Sequence, residues 1–299
     1  MPIVSLIMPA FNSEFTITDS INSVINQSFQ DWELIIVDDN STDNTPNVIE
    51  QFISLDSRII LKKLTTNNGV SNARNIGVSL SSSELIAFID SDDLWSPDKL
   101  KLQVKYHHQF VTCKISHTDF SMFNQSGIIK TPLKKINSLF IQKRGNLFSQ
   151  LLYTNCIGTL TVMVDRLTLL NAGSFDVELT AVEDQDLWLR ISMLGHEFHY
   201  LNNVLSFYRV NLSGLSGNIG KVKFSYKKFL EKHKFVMIKH GKFHIAKAYY
   251  FRFMGVMHFS RRDFGLAYQY FKKCISLFKM PSFVFLIIPY LMIAYFKKS

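Results

Sequence analysis

The chain has 299 residues, 47% of them apolar, and carries 33 Lys and Arg against 24 Asp and Glu. That length exceeds one ordinary core and predicts a large α/β domain with an appendage. Cys113, Cys156 and Cys274 are odd in number and lack Cys-x-x-Cys spacing, which excludes a disulfide framework and fits a reducing compartment.

Met1 to Phe11 lack the basic and long apolar regions of a signal peptide, so Ile3 to Met8, broken by Pro9, reads as a first strand in a cytoplasmic chain. Phe15, Ile17, Ile21, Val24, Ile25 and Phe29 then fall near helical spacing. Leu34 to Val37 is a second strand, and Thr42 to Leu55 a helix capped by Ser41 or Thr42, with Val48, Ile49, Phe52 and Ile53 inward. Ile59 to Leu61 is a strand, Val70 to Leu80 a helix, and Leu85 to Ile89 a strand. Strands alternating with helices imply right-handed crossovers and a mainly parallel sheet. Ser96 and Pro97 open the next helix. Beyond Phe110 the pattern weakens: His117 to Arg144 reads as strand and loop, Leu160 to Val164 as strand, and Asp184 to Leu194 as an amphipathic helix. The predicted division is residues 1–110, 111–220 and 221–299.

Asp90-Ser91-Asp92-Asp93 ends an apolar run read as a buried strand, and Asp38-Asp39 ends another. In an open α/β sheet ligands bind beyond the carboxyl ends of the strands, and clustered carboxylates there suit a hard divalent cation carrying phosphates. Acids at strand ends also cap helices, but two such placements imply one crevice. Asn68-Gly69 to Arg74-Asn75 enters a helix; Gly69 permits a tight turn, and Arg74 can reach diphosphate or pair with Asp39. With neither a Gly-x-Gly-x-x-Gly nor a P-loop signature in the sequence, a metal is expected to carry the phosphates.

Together with Val4 to Asn12, Val37 to Asp43, Gly173 to Asp176 and Glu183 to Arg190, these segments resemble a family 2 glycosyltransferase of the GT-A fold over about residues 3 to 215. The resemblance implies inverting transfer of a sugar from a nucleotide diphosphate donor, most often UDP-linked. It places Pro9, Ala10, Phe11, Asn12, Asp39, Asn68, Gly69, Arg74, Asp90, Ser91 and Asp92 around the nucleotide-sugar. In that scheme Asp39 reads the uracil, Asp90 meets ribose or metal, and Asp92 holds the Mn²⁺ or Mg²⁺ that bridges the diphosphate. Asp184 is the base, or with Glu183 simply caps its helix. Glu183, Trp188, Arg190, Arg209 and Asn211 are expected near the acceptor or diphosphate. Asn211 stands where many relatives have a metal-contacting His, and the Gln-x-x-Arg-Trp motif of processive relatives is missing, which implies single additions. A nucleotidyltransferase and a non-catalytic sugar-nucleotide-binding protein are the rival readings.

The net charge of +9 is uneven: residues 221–299 hold 17 Lys and Arg, two acids and 20 of the chain's 40 aromatic residues. This suits an anionic membrane surface. The aromatics alternate with aliphatic residues in helical patterns, against nucleic-acid binding. Two or three amphipathic helices are expected over Lys221 to Lys279, followed by an uncharged stretch, Met280 to Phe296, interrupted by Pro281 and Pro289 and suited to interfacial insertion. Such a membrane-associating tail places the chain at the inner face of the cell membrane, beside a glycan or polyprenyl-diphosphate-linked acceptor in surface polysaccharide synthesis.

Overall fold

The computed structural model describes residues 1–129, 142–210 and 218–277. The chain forms two compact units, residues 1–147 with 156–212 and residues 148–155 with 213–299.

In the first unit β1 (Val4–Ala10), β2 (Trp32–Asp38), β3 (Ile59–Lys63) and β4 (Leu85–Phe88) run parallel in the order β3-β2-β1-β4. They are joined through α1 (Ile17–Ile25), α2 (Thr45–Leu55) and α3 (Val70–Leu80). All of β1 and all of β4 are buried, as continuous apolar runs in a covered parallel sheet must be. Ile17, Ile21 and Val24 of α1 and Ile49 of α2 pack with Leu6, Met8, Leu34 and Ile36. On α3, Gly77 permits close approach to the sheet, since a Cβ there would lie 2.5 Å from Ile7 Cγ2. Pro9 falls where β1 has outrun its β4 partners and keeps only Val37 of β2, so its missing N–H breaks no ladder bond to β4.

The remainder comprises β5 (Leu94–Trp95), α4 (Lys99–Gln109), β6 (Ile115–Asn124), β7 (Gly127–Ile129), β8 (Met163–Asp165), α5 (Arg166–Asn171), α6 (Glu183–Met193) and β9 (Phe198–Arg209). They extend the sheet as β8-β6-β9-β5, with β7 on β6. Here β8 opposes β4 and β6 while β6 and β9 are parallel, so the sheet is parallel only in its first half and mixed beyond.

Several expected boundaries move. Thr159–Thr161 is a 3₁₀ turn and only Met163–Asp165 is strand. Helix α2 starts at Thr45 because Ser41 and Thr42 are bonded to the loop after β1 rather than capping. Helix α4 starts at Lys99, and Phe15 stands 90% exposed ahead of α1. Cys113 is buried, whereas Cys156 is half-buried.

The second unit has a short helical turn, Phe148–Leu151, and four described helices: α7 (Ile219–Lys232), α8 (Lys234–Lys239), α9 (Phe243–Ser260) and α10 (Phe264–Leu277). The Asn218 side chain accepts from Lys221 N and caps α7. Ala248 of α9 meets Ala267, Phe271 and Cys274 of α10, and Gly255 sits against the Phe271 ring. Thus much of the expected amphipathic pattern is spent on helix pairing. Among the described residues no helix is long and apolar enough to cross a membrane. Asn211 and Met280 to Phe296 lie outside the described residues.

Candidate active site

Three parallel strands deliver the site. The turns after β1 and β2 are stitched together: Asn12 N donates to Ser41 Oγ at 3.0 Å, and Thr42 N donates to Asn12 Oδ1 at 2.8 Å. Asn12 and Asn40 sit at φ 47° and 64°, a region in which asparagine is tolerated. Pro9 and Ala10 are in β1 itself, and Phe11 is 48% exposed at the rim.

Asp39 N donates to Ala10 O at 2.8 Å, while the Asp39 carboxylate, nearly buried, accepts from Asn68 N at 2.9 Å and Gly69 N at 2.7 Å. Asp39 therefore fixes the loop entering α3, and Arg74 does not pair with it. Gly69, at φ 88°, takes a conformation that a side chain would strain.

Arg74 instead links two other carboxylates. Its Nη2 donates to Asp90 Oδ1 at 2.7 Å and its Nη1 to Glu183 Oε1 at 2.8 Å. Burial alone would lower the pKa of this guanidinium, but Asp90 and Glu183 outweigh it and the net shift is upward. Two neighbours on the same helix hold the chain leading to α6: Ser71 Oγ donates to Leu179 O at 3.1 Å, and Asn75 exchanges two bonds with the Phe175 backbone. One face of α3 thus connects the end of β4 to the start of α6.

After β4 the acidic loop is closely held. Thr16 Oγ1 donates to Ser91 O at 3.0 Å. Arg209, at the end of β9, donates through N to Asp93 Oδ1 (2.8 Å), through Nε to Asp92 O (2.7 Å) and through Nη2 to Asp19 Oδ2 (3.1 Å). Burial, then the neighbouring Asp90, pushes the Asp92 carboxyl up to about 6. Asp93 is fully buried, its pKa is raised well above the usual carboxylate range by burial and then by Asp90 and Asp92, and its Oδ2 has no hydrogen-bond partner.

Asp184 lies in the first turn of α6, half-buried, with Oδ1 accepting from Gln185 N at 2.7 Å and Oδ2 3.4 Å from Thr159 Oγ1. Val182 precedes the helix at φ 58°, an unfavourable setting for a β-branched residue, costing about 1–3 kcal/mol. The Arg74 bond to Glu183 helps hold that geometry. The sequence admits two readings each for Trp188, core or a wall of the acceptor site, and for Arg190, partner of an acid or contact to phosphate, and the structure favours the first of each. Trp188 is fully buried, with Nε1 donating to Ile157 O, so it is core rather than a wall of the site. Arg190 pairs with Asp186 and donates to Ala172 O and Ser174 O, bracing the Gly173 turn rather than reaching phosphate.

Asp19, Thr159 and Val182 were not singled out by sequence, because an acid in a first helical turn, a threonine and a valine are ordinary residues without their partners.

The model of Glycosyl transferase family 2 matches residues 5–167. TuaG of Bacillus subtilis (strain 168), whose description provisionally assigns it to teichuronic acid biosynthesis as a glycosyltransferase, is 35% identical over 73% of this chain and 82% of its own length. The Escherichia coli UDP-Glc:alpha-D-GlcNAc-diphosphoundecaprenol beta-1,3-glucosyltransferase WfgD is 36% identical over 72% of this chain and 80% of its own. Among solved structures, S. aureus TarS 1-349 in complex with UDP-GlcNAc superposes with a TM-score of 0.65 at 20% identity, covering 99% of this chain and 88% of that one. The mannosyltransferase PcManGT from Pyrobaculum calidifontis, in complex with GDP-Man and Mn²⁺, gives 0.64 at 19% identity, over 99% and 87%. These structural likenesses agree on a GT-A fold, and the sequence matches show that the chain belongs to glycosyl transferase family 2.

Proposed function

We propose that the chain transfers a sugar, with inversion, from a UDP-linked donor to a glycan or polyprenyl-diphosphate-linked acceptor in surface polysaccharide synthesis. The carrying observation is Arg74, whose single guanidinium ties Asp90 of the acidic loop to Glu183, the neighbour of Asp184. The relative WfgD, named for a UDP-Glc donor and a diphosphoundecaprenol acceptor, and TarS, solved with UDP-GlcNAc, support the substrate classes.

Asp184 is assigned as base. As the acceptor hydroxyl attacks the anomeric carbon, its proton passes to an Asp184 carboxylate oxygen, and the bond to the nucleotide diphosphate breaks on the opposite side. Phe11, Asn12, Asp39, Asn68 and Gly69 frame the nucleotide. Arg209 holds the acidic loop, its N–H donating to Asp93 Oδ1 and its Nε to Asp92 O.

Hard carboxylate oxygens and a buried, unpartnered Asp93 Oδ2 fit Mg²⁺ or Mn²⁺. Among the described residues no three His, Cys, Asp or Glu side chains are grouped to hold a metal. Asp92, with Asp90, would thus supply one or two ligands and the donor diphosphate the rest. Such a cation would stabilise charge on the leaving diphosphate. The basic, aromatic C-terminal region is assigned to the anionic inner face of the cell membrane.

The test is UDP release from UDP-sugars with Mn²⁺, using Asp184→Asn. Turnover should be lost while cation-dependent UDP binding persists; full activity in that variant would overturn the assignment of the base.

A further inference from the structure

The second unit contains a groove of about 690 Å³ between α7 and α9. Its position follows from helical spacing: on α7, residues 224, 227, 228 and 231 share a face, and on α9 so do 243, 247, 250 and 251. Phe224, Phe243, Tyr250 and Phe251 make an apolar floor and wall, Phe224 being 60% exposed. Lys227, Lys228 and Lys247 stand along it, with Lys228 Nζ 5.9 Å from the Phe224 ring centre and Lys247 Nζ 5.7 Å from that of Phe243. Glu231 is the one acid on the lining, and Lys234 neutralises it at 3.4 Å.

An apolar trough edged by three ammonium groups complements a molecule with a hydrocarbon chain and an anionic head. We propose that this groove binds one anionic phospholipid, its acyl chain on Phe224, Phe243, Tyr250 and Phe251 and its phosphate between Lys227, Lys228 and Lys247. The argument is charge complementarity: three lysines against one acid on the lining give the groove a positive edge that matches an anionic head better than a zwitterionic one, and an acidic peptide would leave the rings uncovered. This deepens the membrane assignment of the C-terminal region and rests on it, while converting a diffuse basic surface into a site with named residues.

The experiment uses the full chain with vesicles of phosphatidylcholine alone or mixed with phosphatidylglycerol, each lipid in turn bearing the photoactivatable acyl chain. Crosslinks should map to Ile219–Lys232 and Phe243–Ser260 and appear only with phosphatidylglycerol. The triple variant Lys227→Gln, Lys228→Gln, Lys247→Gln should lower partitioning about 100-fold, given ~1 kcal/mol per lysine near an anionic leaflet. The matched triple variant Lys239→Gln, Lys272→Gln, Lys273→Gln removes equal charge outside the groove and should lower partitioning at least tenfold less. Equal losses in the two triple variants, or crosslinks confined to residues 278–299, would overturn the groove while leaving membrane binding intact. Crosslinking by a polyprenyl diphosphate probe alone would overturn the choice of phospholipid. No partitioning of the unmodified protein onto any vesicle would remove the membrane assignment itself.

Discussion

Arg74 Nη1 lies 2.8 Å from Glu183 Oε1, across 109 positions of sequence, while its Nη2 reaches Asp90 at 2.7 Å. The Arg74 side chain is only 4% exposed, against 31% for Asp90 and 13% for Glu183. Removing it would therefore strand two carboxylates, one well buried and one partly hydrated. Breaking a fully buried pair costs ~3–5 kcal/mol, and the exposure of Asp90 brings the expectation for Arg74→Met to about 2–3 kcal/mol, read as a lower midpoint in urea unfolding. Arg74→Lys keeps the charge but not the planar fork, so it should recover part of the stability and little of the turnover. Equal turnover for Arg74→Lys and the unmodified protein would show that the bridge does not position the site.

Asp92 makes a pH prediction. Its carboxyl is pushed up to about 6, from 3.8, by burial and then by Asp90. The folded state thus holds this proton more tightly than the unfolded chain, so the contribution to stability is present below about pH 4 and is lost as pH rises through about 6. A bound cation needs the ionised form. Because the diphosphate completes the cation's ligands, the rise in melting temperature on adding Mn²⁺ together with UDP, beyond that given by UDP alone, should be largest above pH 7 and should vanish near pH 5. Asp92→Asn should abolish the rise at every pH while leaving the metal-free protein no less stable. An undiminished Mn²⁺ effect in that variant would remove Asp92 from the cation site.

The sequence made the first half of the fold legible because buried parallel strands are nearly continuous apolar runs and α3 has clear boundaries. Val70–Leu80 matches its expected limits, and Asp38-Asp39 and Asp90 to Asp93 lie at strand ends. The second half was less legible because short strands such as Met163–Asp165 pair antiparallel with distant segments and carry no period of their own. At the site, residue types were readable and partners were not. Of the two readings the sequence allows for Arg74, contact to diphosphate or pairing with Asp39, the second does not form, because the Asn68 and Gly69 amides occupy that carboxylate. Trp188 and Arg190 carry residue types common at binding sites, yet one fills the core and the other braces a turn.

Gly77 offers a test of how tightly α3 lies on the sheet. A Cβ at this position would meet Ile7 Cγ2 at 2.5 Å, and Ile7 is fully buried in β1, with no free end to swing aside. Gly77→Ala should destabilise by ~1–3 kcal/mol through overpacking, despite alanine's better helix propensity. Because α3 also carries Arg74, the displaced helix should lower turnover as well. In a double-mutant cycle, Ile7→Ala with Gly77→Ala should cost at least 1 kcal/mol less than the sum of the single changes. Strict additivity would mean that the helix moves away at little cost.

Lys99 is the least expected feature of the first unit, since a lysine in a first helical turn ordinarily points into water. Here it is fully buried, its Nζ donating to Gln103 Oε1 and lying 4.3 Å from the centre of the Trp95 ring. Burial pulls its pKa down from 10.5 to about 7. The unfolded chain then binds this proton more tightly than the folded one, so stability should rise from pH 7 towards pH 10 and fall as pH drops through 7. Lys99→Met keeps the length of the side chain and discards the ammonium, and replacing a poorly compensated buried charge by an apolar group is stabilising in comparable cases. Melting temperatures at pH 7 and 9.5 decide the matter. The unmodified protein should gain over that interval, and Lys99→Met should start higher at pH 7 and gain less. A lower melting temperature for Lys99→Met at pH 7 would show instead that the ammonium, held between Gln103 and the Trp95 ring, stabilises the core on balance.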